Sequence, residues 1–133
     1  MENNVRKKIV QEYYSKRARD YDWQKIRTWK SEQGFGAEVI NEVIDALAYF
    51  EGRRILEVGI GSGRIGFPLI KKVKPYLVGL DLSREMLEHA KAKMSSCNQK
   101  FHIALGDGEH LPFTDEVFDA IVCISTMHYF ADS

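Results

Sequence analysis

The 133-residue sequence has few features of a membrane, secreted or nucleic-acid-binding protein. No window approaches eighteen consecutive apolar residues, and the opening MENNVRKK lacks a following apolar segment. Neither a transmembrane helix nor a secretory signal is therefore expected. The formal net charge is zero, so the molecule as a whole does not attract nucleic acid or a membrane. We expect a cytoplasmic protein.

Cysteine is scarce as well. Cys97 and Cys123 form no C-x-x-C pair, and Cys123 lies inside an apolar run. Both are therefore predicted to be buried, reduced thiols, and not a disulfide, a metal site or a nucleophile. No Cys/His ligand spacing indicates a metal, and we predict that none is required.

Charge is unevenly distributed along this neutral chain. The first thirty residues contain nine Lys or Arg and four acids, whereas residues 101–133 contain six acids and no Lys or Arg. A basic N-terminal face could attract an anionic substrate or RNA. A solvated helix face explains the same pattern more simply, so nucleic acid is not an expected partner.

Apolar periodicity divides the chain into two parts. Amphipathic helices are predicted over residues 4–20 and from Glu32 to Phe50, with Gly52 ending the second. Strands then alternate with helices. The strands are predicted at ILEV, YLVGLDL, KFHIAL and FDAIVCIST, and the helices at GRIGFPLIKKV and SREMLEHAKAKMSS, with Ser83 as N-cap of the latter. This alternation predicts an α/β fold whose parallel sheet is covered by helices on both faces.

The stretch ILEVGIGSGRIG joins the first strand to a glycine-rich turn. Gly59, Gly61 and Gly63 alternate through this turn, and glycines let the backbone come close to a ligand at a helix N-terminus. Asp81 ends the next strand, twenty residues after Gly61, where an acid can accept hydrogen bonds from both ribose hydroxyls. Asp107 follows the third strand. These strand ends form the edge where open α/β sheets bind ligands.

Glu57, in the first strand, distinguishes two possible ligands. A fixed carboxylate beside the loop would repel the pyrophosphate of a dinucleotide, at a cost of roughly a few kcal/mol. S-Adenosylmethionine carries an ammonium and a sulfonium and no phosphate. The loop would contact its methionine part, Asp81 its ribose and Asp107 its adenine amino group. The charges favour this methyl donor over NAD, which leaves an NAD-dependent oxidoreductase as the least favoured function.

Four stretches resemble class I S-adenosylmethionine-dependent methyltransferases. ILEVGIGSGRIG resembles the first motif, GLDLSREMLEHAKAK the second, and GDGEHLPFTDEVFDAIVCISTMHYFAD the region through the fourth strand. YYSKRARDYDWQ resembles the lead-in helix of small-molecule enzymes of the ubiquinone/menaquinone-methyltransferase type. The resemblance implies a Rossmann-like parallel sheet in the order 3-2-1-4, with the N-terminal helices packed on it.

The resemblance also implies the domain organisation. We predict a single methyltransferase domain over residues 1–133, with N-terminal helices at 1–50 and a Rossmann-like core at 51–133. Because the family normally continues through three more strands, we expect this core to be incomplete after the fourth strand. The outer edge of that strand would then be exposed, and we expect it to pair with a second copy in a homodimer.

Most of the implied site residues belong to the donor side. The predicted donor-binding residues are Glu57, Gly59, Gly61, Gly63, Asp81, Leu82, Met86, Asp107, Gly108 and Ser125. Met86 has an alternative role as a packing residue between helix and sheet. No catalytic residue is identified. The candidates for the acceptor side are His128 and Tyr21, accompanied by Ser125, Thr126, Tyr13 and Tyr14. A surface position stays open for His128, and a core position for Tyr13 or Tyr14.

We predict transfer of a methyl group from S-adenosylmethionine to a small-molecule acceptor, with S-adenosylhomocysteine as the second product. Such a transfer is an in-line displacement from an activated sulfonium, so the protein supplies mainly proximity and alignment. A general base is needed only if the acceptor must lose a proton. The alternative is a non-catalytic S-adenosylmethionine-binding module that works by pairing with another chain.

Overall fold

The structure, a computed structural model, describes residues 5, 7–9, 11, 12 and 35–124. The described residues before position 13 are helical, as the amphipathic pattern over 4–20 predicts. The predictions for Tyr13, Tyr14, Tyr21, Ser125, Thr126 and His128 lie outside the described residues.

Helices and strands alternate from residue 35 onward. They are α1 (Phe35–Ala46), β1 (Arg54–Val58), α2 (Gly66–Lys72), β2 (Tyr76–Asp81), α3 (Arg84–Met94), β3 (Phe101–Leu105) and β4 (Ala120–Cys123). The predicted elements of this region are correct in type and order. α1 ends at Ala46, before the predicted end at Phe50, because turns follow it, and Gly52 then takes a left-handed φ of +69°.

The strands form one parallel sheet in the order β3-β2-β1-β4, as predicted. β1 is paired on both sides, so Glu57 lies between Gly79 of β2 and Val122 of β4. Asp81 at the end of β2 is opposite Leu105 of β3. The carboxyl ends of β1, β2 and β3 therefore lie side by side at one edge.

The described helices pack on one face of the sheet. Leu69 and Ile70 of α2 and Leu87, Ala90 and Met94 of α3 form a single buried cluster with Ile55 and Leu77 of the sheet and with Leu47, which directly follows α1. Apolar burial of this kind contributes about 25 cal/mol per Å² of surface removed from water, and it holds the strand edge in place.

The expectation of helices on both faces is not met by the described residues. On the second face, Leu56 and Leu80 pack against Phe113 and Phe118 of the β3–β4 connection. The two phenyl rings meet edge to face with centroids 5.0 Å apart. This connection contains Pro112 and no apolar stripe of helical period, which explains why it covers the sheet as a loop.

β4 lies at the edge of the sheet, and its Ile121 side chain is 60% exposed. Among the described residues, no helix combines the length and apolar character needed to cross a bilayer.

Candidate functional site

The loop between β1 and α2 turns through three glycines in the left-handed region. The φ angles of Gly59, Gly61 and Gly63 are +76°, +56° and +86°. The Gly59 N–H donates to the carbonyl of Leu80 at 2.8 Å, which fastens the loop to the end of β2. A Cβ atom on Gly61 would lie 3.0 Å from Cε of Met86, so a side chain there would be both strained and crowded. Met86 itself is buried beneath the loop, as its alternative packing role requires.

Asp81 joins the end of β2 to the same loop. Its Oδ2 accepts a hydrogen bond from the Gly61 N–H at 2.8 Å, and its Oδ1 accepts one from the Ser83 N–H at 3.0 Å. Burial raises the pKa of Asp81, while the N–H groups of Ser83, Gly61 and Leu82 act in the opposite direction. Because a carboxylate has about four acceptor positions and three N–H groups already act on this one, Asp81 keeps acceptor capacity for a ligand hydroxyl.

Ser83 extends this arrangement into α3. Its Oγ accepts a hydrogen bond from the Met86 N–H at 3.3 Å, which confirms the predicted N-cap. The cap fixes the start of α3 directly after Asp81.

Glu57 is a buried carboxyl group, only 3% exposed. Among the described residues, nothing donates a hydrogen bond to its Oε2. Burial and, to a smaller degree, the charge of Asp81 raise the pKa of Glu57 to about 8, against an opposing effect of Arg64. A Cβ atom on Gly66 would lie 2.9 Å from Oε2, so that glycine leaves space for the carboxyl group. A buried oxygen of this kind fits a ligand that brings an ammonium or another N–H donor.

Asp107 lies two residues after β3 and has several partners. Its Oδ1 accepts a hydrogen bond from the Glu109 N–H at 3.0 Å, and Nδ1 of His110 lies 3.2 Å from Oδ2. Lys7 Nζ lies 2.5 Å from the same Oδ2 and 2.7 Å from Oε2 of Glu109. Burial alone would raise the pKa of Asp107, but the hydrogen bonds from Lys7, Glu109 and His110 outweigh it and lower the pKa. Asp107 is therefore held as a carboxylate.

Nine of the ten predicted donor-binding residues lie at the carboxyl edge of the sheet or in the segments directly after it. These are Glu57, Gly59, Gly61, Gly63, Asp81, Leu82, Met86, Asp107 and Gly108. The segment after β3 is tied to the end of β2 by a hydrogen bond from the Gly106 N–H to the Asp81 carbonyl, at 2.9 Å. Ser125 lies outside the described residues.

The contacts of Lys7, Gln11 and Glu109 were not predicted. Gln11 Nε2 donates a hydrogen bond to the Leu82 carbonyl at 2.6 Å, next to the predicted ribose-binding acid. The signal for Lys7 and Glu109 was the charge asymmetry, which sets a basic N-terminal helix against an acidic segment after β3. No comparable signal marked Gln11.

Other features of the described residues lie apart from this edge. A cleft of about 870 Å³ is lined by residues at or before the amino ends of the strands, including Arg54, Tyr76 and Lys100. It lies at the opposite end of the sheet from the acids. Across residues 5–12 and 35–124, as far as they are described, no group of three or more His, Cys, Asp or Glu is arranged to hold a metal. Cys97 and Cys123 form no disulfide, and both are half-buried where full burial was predicted.

Comparison with known proteins gives the family context. Residues 55–133 match the family described as methyltransferase domain. Methyltransferase GfsG of Streptomyces halstedii is 29% identical over 99 residues, which cover 73% of this chain and 36% of that protein. Demethylmenaquinone methyltransferase of Lactobacillus johnsonii is 29% identical over 124 residues, which cover 90% of this chain and 49% of that protein.

A solved structure agrees in fold. Haemonchus contortus phosphoethanolamine N-methyltransferase 1, in complex with phosphoethanolamine and S-adenosylhomocysteine, has a TM-score of 0.80 at 17% identity. The match covers 99% of this chain and 28% of that one. The chain thus spans about a third to a half of the length of the two curated relatives, and less of this structure.

Proposed function

The chain belongs to the methyltransferase domain family, and we propose that it binds S-adenosylmethionine and transfers the methyl group to a small-molecule acceptor. The observation that carries the proposal is the environment of Glu57, a buried carboxyl group whose Oε2 lacks a described donor beside a left-handed glycine loop. The parallel sheet with order β3-β2-β1-β4 presents this loop at its ligand-binding edge.

The chemistry of the donor fits the groups at this edge. S-Adenosylmethionine supplies an activated methyl group on a sulfonium, and it carries an ammonium but no phosphate. Glu57 would hold the ammonium, because its Oε2 has no described hydrogen-bond donor and the ammonium N–H groups can donate to it. Asp81 would hold the ribose with the acceptor capacity that the N–H groups of Gly61, Leu82 and Ser83 leave open. A dinucleotide would instead place phosphate charge near Asp81 and would bring no ammonium for Glu57, so an oxidoreductase is not favoured.

The acceptor is proposed to be a small molecule. The relatives are named as demethylmenaquinone and phosphoethanolamine methyltransferases, which supports this class without selecting one compound. Since the methyl group leaves an already activated sulfonium, alignment is the main contribution of the protein. His128 and Tyr21 stay predictions for the acceptor side, as does Ser125 for the donor side.

We also propose that a second copy pairs at the edge of β4. β4 is the outermost of the described strands next to β1, and its exposed apolar side chain Ile121 favours association. Sedimentation at micromolar concentration should show a dimer, and Ile121→Lys should shift it toward monomer. A wild-type monomer would refute the pairing and leave the donor site unaffected.

Titration calorimetry tests the function. S-Adenosylhomocysteine should bind, and NAD should bind far more weakly or not at all. Turnover of labelled S-adenosylmethionine across a panel of small acceptors then separates an enzyme from a non-catalytic donor-binding module. Equal affinity for NAD would contradict the proposed donor, whereas binding without any turnover would contradict only the transfer.

A further inference from the structure

The N-terminal helix reaches the candidate donor site through two side chains. Lys7 contacts both Asp107 and Glu109, and Gln11 donates to the Leu82 carbonyl. Residues four apart lie on the same face of a helix, so Lys7 and Gln11 present one face to this edge. Both contacts fall on segments that are predicted to hold the adenosine part of the donor.

We propose that Lys7 is a positioning residue for the donor, which orients the Asp107 carboxylate so that its Oδ1 accepts the adenine amino group. The inference rests on the proposed function, because it takes S-adenosylmethionine as the ligand. It adds a residue of the N-terminal helix to a site otherwise built from the sheet edge.

The occupancy of the two Asp107 oxygens supports this role. Oδ2 has two described partners: Lys7 donates to it, and Nδ1 of His110 lies 3.2 Å away and takes up the second lone pair when that nitrogen carries the ring proton. Oδ1 has one described partner, the Glu109 N–H, and keeps one lone pair. A ligand N–H group therefore finds its acceptor at Oδ1, provided that Lys7 holds Oδ2.

The ion pairs of Lys7 with Asp107 and Glu109 stabilise the orientation of the Asp107 carboxylate. The side chains of Lys7, Asp107 and Glu109 are 19%, 26% and 11% exposed, so solvent screens their interactions only in part. Removing the ammonium would leave Asp107 and Glu109 as two neighbouring carboxylates without their shared cation. Their mutual repulsion would turn Asp107 away from its present orientation.

An inhibitory role for Lys7 predicts the opposite change in donor affinity. If the ammonium competed with the adenine for Asp107, its removal would strengthen donor binding. A measurement of affinity therefore separates a positioning contact from an inhibitory one.

The test compares two ligands on a set of matched variants. S-Adenosylhomocysteine is titrated beside S-inosylhomocysteine, in which oxygen replaces the adenine amino group. Lys7→Met should weaken the binding of S-adenosylhomocysteine about tenfold, the effect of one charge-assisted hydrogen bond. It should change the binding of S-inosylhomocysteine less, so the preference for the amino group falls. A merely structural role for Lys7 would weaken both ligands equally.

Conservative and control variants complete the design. Lys7→Arg keeps the charge. It should retain most of the wild-type affinity for S-adenosylhomocysteine and most of the preference for this ligand over S-inosylhomocysteine. Lys8→Met removes an exposed neighbouring cation and should behave as the wild type. Circular dichroism confirms folding, and Lys7→Gln replaces Lys7→Met if the latter does not fold.

The outcomes distinguish the inference from the function on which it rests. Unchanged or tighter binding by folded Lys7→Met, or equal weakening of both ligands, overturns the role of Lys7 while the donor site stands. A wild-type protein that does not bind S-adenosylhomocysteine refutes the proposed function, and the role of Lys7 with it.

Discussion

Replacing Glu57 by Gln should remove a large pH dependence from the stability of the fold. Glu57 is 3% exposed, and no described group donates a hydrogen bond to its Oε2. The folded protein therefore favours the protonated carboxyl group, and burial raises its pKa from 4.5 to about 8. In the unfolded chain the group is solvated and returns to its ordinary pKa.

The sign and size of the effect follow from the two pKa values. The folded state binds the proton more tightly, so Glu57 imposes no penalty on the folded state well below pH 4.5. The free energy of unfolding then decreases as the pH rises, until the pH passes the folded pKa of about 8. The two pKa values differ by about 3.5, and each unit corresponds to 1.36 kcal/mol, so the full loss is about 5 kcal/mol. About 3 kcal/mol of it is already lost at pH 7.

Urea unfolding at pH 5, 7 and 8.5 measures this loss. Between pH 5 and pH 8.5, the wild type should lose about 4 kcal/mol of unfolding free energy relative to Glu57→Gln. The urea concentration at the unfolding midpoint should change with pH, whereas the dependence of the unfolding free energy on urea concentration should not, because the same surface is exposed on unfolding. Glu88→Gln, which changes an exposed acid on α3, is the control and should follow the wild type. Parallel curves for the wild type and Glu57→Gln would mean that Glu57 keeps its ordinary pKa in the folded protein, contrary to this reasoning.

Binding measurements test the site more directly. Asp81→Ala should weaken S-adenosylhomocysteine binding by about 1.5–3 kcal/mol per charged hydrogen bond lost, whereas Glu42→Ala on α1 should not. An unchanged affinity of folded Asp81→Ala would remove Asp81 from the site. Gly61→Val should abolish binding with little change in circular dichroism, since it strains a φ of +56° and crowds Met86; normal binding would show that the loop does not approach the ligand. Binding at pH 7 should release a proton from Glu57, because a ligand ammonium favours its ionised form. Calorimetry in buffers of different ionisation enthalpy detects that proton, and its persistence in Glu57→Gln would assign it to another group.

Local patterns were sufficient to predict the sheet. Each strand and helix after residue 50 is marked by its own apolar period, and Ser83 marks the start of α3 by a cap that involves only the next three residues. Parallel pairing then follows from the alternation of strands and helices. Glu57 stands out because, after the exposed Arg54, every other residue of β1 is apolar and buried.

Element ends were predicted less well than element types. FDAIVCIST was predicted as a strand, but β4 covers only Ala120–Cys123, where β1 offers pairing partners from Ile55 to Val58. The length of a strand depends on its neighbour as well as on its own residues. The cover of the second face, by Phe113 and Phe118, likewise depends on how a loop folds back on the sheet.

Long-range ion pairs were beyond the reach of the sequence pattern. The pattern separated nine cations near one end from six acids near the other, and each set was compatible with a solvated surface. In the folded chain, Lys7 lies against two of those acids, one hundred residues away in the case of Asp107. A cation already paired with two carboxylates attracts an anionic ligand only weakly. Lys7 therefore adds little to a site for RNA or an anionic acceptor, and its contacts favour a role in organising the donor site.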